Sequence, residues 1–222
     1  MQTVRNELSN ALGIALLLQA VASIIGGILF NPLIIKNNTV KSMFNLAQNQ
    51  TRAQFSVIVE IITAMGIVWL GVVFFRLLRS IHQVGSTTAL ALYVLEAAML
   101  LVSRFTGYAL IRISSIYAAG DTTLKALSQV LLDTKEYIGN AALIPFGIGA
   151  VIFYYLLYVS KGIPAWISLW RVVTVIPVLL VSIFAMFHSN VPTVFQISMM
   201  PYVPFEFFTG AYILVKGLTV KL

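Results

Sequence analysis

Residues 89–112 read ALALYVLEAAMLLVSRFTGYALIR, and this stretch decides what kind of fold the chain can adopt. Nine of the ten residues in its part LYVLEAAMLL (92–101) are apolar or aromatic, which suits the hydrocarbon core of a membrane. The charged exceptions in the whole stretch, before its last residue, are Glu96 and Arg104. A charged side chain at the centre of a bilayer costs at least about 2.5–3.5 kcal/mol. We therefore expect both side chains to face the interior of the protein.

The whole chain has the composition of a membrane protein. Of its 222 residues, 59% are hydrophobic and 9% are charged, and the mean hydropathy is +0.95. A soluble domain averages about 25% charged residues, and one of this length could not hide so much apolar surface from water. The formal charge of +7 is scattered at the ends of apolar runs, which favours contact with anionic lipid headgroups. The expected partners are therefore membrane lipids, and not nucleic acid.

Six apolar runs have about the length of 20 residues that crosses a bilayer. They lie at roughly 11–35, 54–76, 89–112, 141–160, 165–187 and 196–218. No run is long enough for two helices, and no segment is left over for a soluble domain. Residues 1–222 are therefore predicted to form a single integral membrane domain. We expect an all-α membrane protein with six transmembrane helices in one bundle.

The loops after the first and third spans each contain a segment with apolar residues at helical spacing. In loop 36–53 the segment reads TVKSMFNLAQ, and in loop 113–140 it reads DTTLKALSQVLLDTKEY. Asp121 is a suitable N-cap for the second segment, and Gly139 follows its end. The sequence therefore predicts two short amphipathic helices in the loops after helices 1 and 3, both lying at the same membrane interface.

The loop residues with positive charge indicate the orientation. If the N-terminus is inside, each side of the membrane holds six Lys and Arg residues. Those on the inner side lie in shorter segments and closer to helix ends. This density favours a multi-pass protein with both termini in the cytoplasm.

Five charged residues lie several positions inside the predicted spans, namely Glu60, Glu96, Arg104, Arg171 and Glu206. At a rise of about 1.5 Å per residue, Glu60 is about 9 Å and Arg104 about 12 Å below the same surface. Glu96 is about 11 Å and Arg171 about 9 Å from the opposite surface. Depth therefore predicts the pairs Glu60–Arg104 and Glu96–Arg171. It assigns no partner to Glu206, which lies near the midplane.

Two interpretations of this ligand-binding or buried polar cluster stay open. In the first, ion pairs fix the order and register of the helices, as in a structural or regulatory membrane partner. In the second, the charges line a polar cavity through which a small or amphipathic ligand, such as a lipid, an ion or a proton, is bound or moved. The unpaired Glu206 favours the second interpretation, because ionisable groups inside a membrane commonly mark functional sites.

The last predicted span contains Pro201 and Pro204 just before Glu206. Prolines leave backbone carbonyls without a donor, and broken helices beside a charge recur at transporter sites. An ordinary helix kink is the simpler interpretation of this pair.

Residues suited to catalysis are scarce. The chain has no cysteine and two histidines, His82 in a loop and His188 at the end of a span. It contains no nucleophile, zinc or phosphate-binding sequence motif. We therefore predict no catalytic residue, no metal ion and no cofactor, and a membrane-embedded enzyme is the third hypothesis for the function.

Several stretches occur together in an order that resembles a known family. They read LGIALLLQAVASIIGGILF in the first span, LYVLEAAMLL in the third, FYYLLYVSKGIPAWISLW between the fourth and fifth, and PFEFFTGAYILVKGL at the end. Over nearly its whole length the chain resembles bacterial six-helix integral membrane proteins known as a domain of unknown function. The resemblance implies a six-helix bundle in the bacterial plasma (inner) membrane, and it implies no activity. Arg171 departs from this family, which usually has a small residue after Trp170.

Overall fold

The computed structural model describes residues 2–188 and 190–219. These residues form the α-helices α1 (Gln2–Phe30), α2 (Thr39–Gln48), α3 (Gln50–Leu78), α4 (Gln83–Ala118), α5 (Lys125–Val159), α6 (Ala165–Phe187), α7 (Thr193–Met199) and α8 (Tyr202–Lys216). Short 3-10 turns follow α1 and precede α5. The described residues contain no β-strand, and the predicted all-α class is confirmed.

Among the described residues, five stretches are long and apolar enough to cross a membrane by length and composition. They are Glu7–Leu33, Gln50–Leu78, Gln83–Ala118, Lys125–Val159 and Ala165–Phe187. The outward-facing side chains of these helices are also apolar, and Met65, Phe105 and Leu180 are 68%, 58% and 60% exposed. Soluble proteins rarely leave large apolar patches uncovered, so this outer surface is consistent with insertion into a membrane.

The sixth predicted span is not one continuous helix. It is divided into α7, with seven residues, and α8, with 15 residues, by a break at Met200 and Pro201. Pro201 has no backbone N–H with which to continue a helix from α7. With its 15 residues, α8 is about 22 Å long and therefore shorter than the bilayer core of about 30 Å. The predicted span 196–218 is therefore not a single helix, and the interpretation of its two prolines as an ordinary kink is wrong.

The segment predicted to be helical in the first loop forms α2. The side chain of Asn38 accepts a hydrogen bond from the backbone N–H of Lys41 at 2.9 Å, which is the usual N-cap arrangement. Met43 and Leu46 are fully buried. One face of α2 is therefore packed against the rest of the protein.

The segment predicted to be a separate helix in the second loop is instead the beginning of α5. This helix continues without interruption from Lys125 through Gly139. Asp121 lies in the turn before it and accepts a hydrogen bond from the backbone N–H of Thr123 at 3.1 Å. Gly139 faces α4, where a Cβ atom would lie 3.7 Å from Ser103 Oγ. The prediction of a separate helix is wrong because α5 continues through this glycine, and a glycine inside a helix lowers its stability without having to end it.

Six helices form a closed ring. Along the chain, α1 packs against α3, α3 against α4, α4 against α5 and α5 against α6. The last helix, α8, closes the ring because it packs against both α6 and α1. Of the two remaining helices, α2 packs mainly against α4, and α7 packs against α6. Each ring helix thus has one face toward a common centre.

The two ends of the ring differ in packing. We name the end with α2 and the α4–α5 connection the α2 end, and the end with loops 79–82 and 160–164 the terminal end. Near the terminal end, Phe74 stacks on Phe153 with ring centroids 4.5 Å apart, and Tyr93 packs edge-on against Phe153 at 5.1 Å. These rings belong to the larger hydrophobic core, which lies toward the terminal end. The central space of the ring lies between this core and the α2 end.

Candidate functional site

A cavity of about 530 Å³ lies at the centre of the ring. All six ring helices contribute to its wall, with residues that include Gln19, Glu60, Glu96, Arg104, Asn140, Val178 and Glu206. Four of the five charged residues predicted from the sequence therefore line one cavity. The fifth, Arg171, contacts Glu206 without lining the cavity itself.

Arg171 is paired with Glu206 and not with Glu96. Its Nη2 lies 3.3 Å from Glu206 Oε1 and donates a hydrogen bond of 2.7 Å to the hydroxyl of Tyr202. Its guanidinium also lies 4.6 Å and 4.3 Å from the ring centroids of Tyr154 and Tyr202. Arg171 is 1% exposed, and a charge at that depth needs such compensation. The predicted pair Glu96–Arg171 is wrong.

Glu206 has three hydrogen-bond donors around one oxygen, although depth alone assigned it no partner. Its Oε1 accepts from Gln19 Nε2 at 2.8 Å, from the Tyr202 hydroxyl at 3.0 Å and from Arg171 Nη2 at 3.3 Å. Because Gln19 is on α1 and Arg171 is on α6, this carboxylate connects three helices. Gln19 was missed because it is uncharged. The available signal was an amide in the middle of the apolar stretch LLLQAVA.

The second predicted pair, Glu60–Arg104, is present. Arg104 Nε lies 2.9 Å from Glu60 Oε2, and the two side chains are 21% and 7% exposed. Within the described part of the chain the Nε–H makes no directed hydrogen bond, so the contact is an ion pair held by charge. Gly26 on α1 makes room for it, since a Cβ atom there would be 2.6 Å from Glu60 Cγ. The prediction of this pair is confirmed.

Glu96 lines the cavity and has no partner for its carboxyl group within the described residues. It is 4% exposed, and its Oε2 makes no hydrogen bond. The ion pairs found in the described part of the chain involve Arg104 and Arg171, and neither includes Glu96. In the ring, α5 lies between the helix of Glu96 and the helix of Arg171. Equal depth therefore did not bring these two side chains together.

Further cavities lie between the centre of the ring and the α2 end. One of about 470 Å³ is bordered by Asn38, Asp133 and His188, and one of about 180 Å³ by Ser182 and Gln196. Asn140 on α5 borders both of them and also the central cavity. Polar space therefore continues from the centre toward the α2 end. The larger core separates the central cavity from the terminal end, where another cavity of about 590 Å³ is bordered by Lys161 and Lys216.

The walls of the central cavity combine hydrogen-bonding groups with apolar surface. The carboxyl groups can accept hydrogen bonds, and Arg104 and Asn140 can donate them. Ile67, Leu143 and Phe146 supply apolar surface. A mostly apolar wall with a few polar groups is typical of sites for small organic molecules.

Residues 11–217 match the family described as Domain of unknown function (DUF4386). Neither a curated protein nor a solved structure matches the chain. The family match covers nearly the whole chain, including every residue that lines the central cavity. The family predicted from the sequence stretches is confirmed, and the chain belongs to the DUF4386 family.

Proposed function

We propose that this protein binds a small or amphipathic ligand in its central cavity and either holds it there or moves it through the membrane. The observation that carries the proposal is the cavity of about 530 Å³ lined by Glu60, Glu96, Arg104 and Glu206. Polar and charged side chains are costly inside a membrane and are commonly retained at ligand and ion pathways. The volume lies within the range of about 300–1,000 Å³ that is typical of ligand sites.

The proposal includes six spans in the plasma membrane with both termini in the cytoplasm. In support of the sixth span, α8 fills a ring position between α1 and α6. α7 and α8 are then two parts of one broken span, with the break at Met200 and Pro201. Broken membrane helices beside a binding site are a recurring feature of transporters, and here the break precedes the cavity residue Glu206.

A structural or regulatory membrane partner is the second candidate function. It is favoured by the contacts of Glu206, which join α1, α6 and α8 through Gln19 and Arg171. A polar network of this kind can specify one arrangement of helices without binding any ligand. The two candidates differ in whether the cavity itself is occupied.

The test is whether small molecules stabilise the protein by occupying the cavity. Suitable probes are 2-phenylethanol, 2-phenylethylammonium and phenylacetate, which share one aromatic part and differ in their polar group. A molecule that binds only the folded state raises the melting temperature in a concentration-dependent way. We expect at least one probe to do so with the wild type in detergent.

A matched pair of variants locates the bound probe. Ala20 is 4% exposed and lines the cavity, so Ala20→Phe should fill part of it and reduce the response. Ala91 on α4 is exposed on the outer surface, so Ala91→Phe should leave the response unchanged. If no probe stabilises the wild type, or if Ala20→Phe responds as the wild type does, ligand binding in this cavity is ruled out.

A further inference from the structure

The geometry points to a ligand that carries a protonated amine, with Glu96 as the residue that binds the amine. This inference rests on the proposed function, because it concerns the occupant of the same cavity. It specifies the chemical class of the ligand and the side chain that recognises it.

The first step is that Glu96 has hydrogen-bonding capacity that the described residues leave unused. Its side chain is buried in the cavity wall with its Oε2 free of any hydrogen bond. A buried polar atom without a partner costs free energy, so such atoms are rare in folded proteins and call for a specific explanation. A ligand that donates a hydrogen bond to Glu96 provides that explanation.

The second step is that the other cavity carboxyl groups are already engaged. Glu60 is paired with Arg104, and Glu206 is bonded to Arg171. Lys135 does not serve as a partner of Glu96. Its Nζ lies 4.3 Å above the ring of Phe30, and the residue borders a neighbouring cavity of about 310 Å³. Of the three carboxyl groups in the central cavity, Glu96 is therefore the one left for a ligand.

The third step concerns the chemistry that a carboxylate selects. A cation beside a buried carboxyl group stabilises its ionised form. The ionised form only accepts hydrogen bonds, and its strongest partners are cationic N–H donors. An anionic group would repel this form. An ammonium group provides Glu96 with both a hydrogen-bond donor and a counter-charge.

The surrounding wall suits an amphipathic amine with an apolar or aromatic part. Phe146 and Tyr202 both line the cavity and pack edge-to-face with ring centroids 5.3 Å apart. Aromatic faces attract cations and also pack against apolar groups. Leu100, one turn from Glu96 on α4, adds aliphatic surface.

The experiment compares the affinities of 2-phenylethylammonium and the neutral 2-phenylethanol for the intact protein in detergent at neutral pH. We expect the wild type to bind the ammonium about tenfold or more tightly than the alcohol, because hydrogen bonds to charged groups contribute more than neutral ones. In Glu96→Gln this preference should disappear, while the affinity for the alcohol stays the same. Glu96→Asp should retain part of the preference.

The control is Glu7→Gln, which removes an exposed carboxylate from α1 outside the cavity. This variant should keep the full preference for the ammonium. Equal affinity of the wild type for ammonium and alcohol would overturn the inference and leave the proposed function standing. A preference that survives in Glu96→Gln would also overturn it. If neither probe binds, the inference is overturned, and the proposed function fails as well if phenylacetate also does not stabilise the protein.

Discussion

Arg171 on α6 and Glu206 on α8 contact each other at 3.3 Å inside the ring. These are the two helices that meet less extensively than any other neighbours in the ring. A charge pair therefore lies where side-chain packing contributes least. Tyr202 supports both members, since its hydroxyl accepts from Arg171 and donates to Glu206.

The first prediction is a double-mutant cycle on this pair. Arg171→Gln or Glu206→Gln alone leaves the other group buried without its counter-charge, which costs about 3–5 kcal/mol for buried pairs in soluble proteins. Polar pairs in membranes often measure weaker, so the coupling can be nearer to about 1–2 kcal/mol. The double variant should cost less than the sum of the single variants. The measurement is the free energy of unfolding in mixed micelles.

Arg79→Gln serves as the control for this cycle, because Arg79 is exposed in the loop after α3 at the terminal end. It should change the free energy of unfolding by less than about 0.5 kcal/mol. Strictly additive costs for the Arg171 and Glu206 variants would contradict the pairing.

The second prediction concerns Glu96. Because its Oε2 is buried and receives no hydrogen bond from the described residues, Glu96→Leu should not lower the free energy of unfolding and should raise it by up to about 1–3 kcal/mol. Glu206→Leu should instead lower the free energy of unfolding. Thermal unfolding in detergent measures the effect of both variants. A loss in Glu96→Leu as large as the loss in Glu206→Leu would mean that Glu96 has a partner in the folded protein.

The third prediction concerns access to the cavity from the α2 end. The chain has no cysteine, so a single introduced cysteine can be labelled without background. Asn140 borders the central cavity and the two cavities toward the α2 end. The introduced cysteine of Asn140→Cys should therefore react with a water-soluble maleimide. Ala150→Cys, ten residues further along the same helix, is fully buried in the larger core and should react far more slowly. Similar rates at the two positions would rule out a polar route from the α2 end.

The fourth prediction concerns topology. Reporters fused after Thr219 and inserted in loop 79–82 should both report the cytoplasm, while a reporter in loop 119–124 should report the opposite side. The reason is that α7 and α8 are proposed to form the sixth span. A reporter after Thr219 on the same side as loop 119–124 would mean that this pair of helices does not cross the membrane.

The long helices could be predicted because an apolar run of about 20 residues has few alternatives in a bilayer. The predicted span 165–187 coincides with α6, and 54–76 lies within α3. Helix ends were less predictable, because local signals such as Gly139 depend on what packs against them. The break before α8 also needed the structure, since a proline pair is compatible with either a kink or an interruption.

The candidate site could be predicted as a set of residues but not as a set of contacts. Hydropathy singles out Glu60, Glu96, Arg104 and Glu206, and these four do line one cavity. Depth paired Glu60 with Arg104 correctly because α3 and α4 are neighbours in the ring. It failed for Glu96 because depth gives a height along the membrane normal and no direction around the ring.

The closure of the ring by its last helix has a consequence for biosynthesis. Gln19 and Glu206, which hydrogen-bond where α1 and α8 close the ring, are 187 positions apart, and Arg171 is made 35 residues before Glu206. In the proposed membrane arrangement, a chain that grows from its N-terminus therefore holds Arg171 without its carboxylate until α8 has been translated. Such a charge is costly in lipid, and incompletely folded chains are triaged by chaperones and proteases in the cell. A nascent chain that stops short of α8 thus exposes an unpaired Arg171, by which quality control can distinguish it from the complete chain. Translation of the final helix supplies Glu206 and removes this difference.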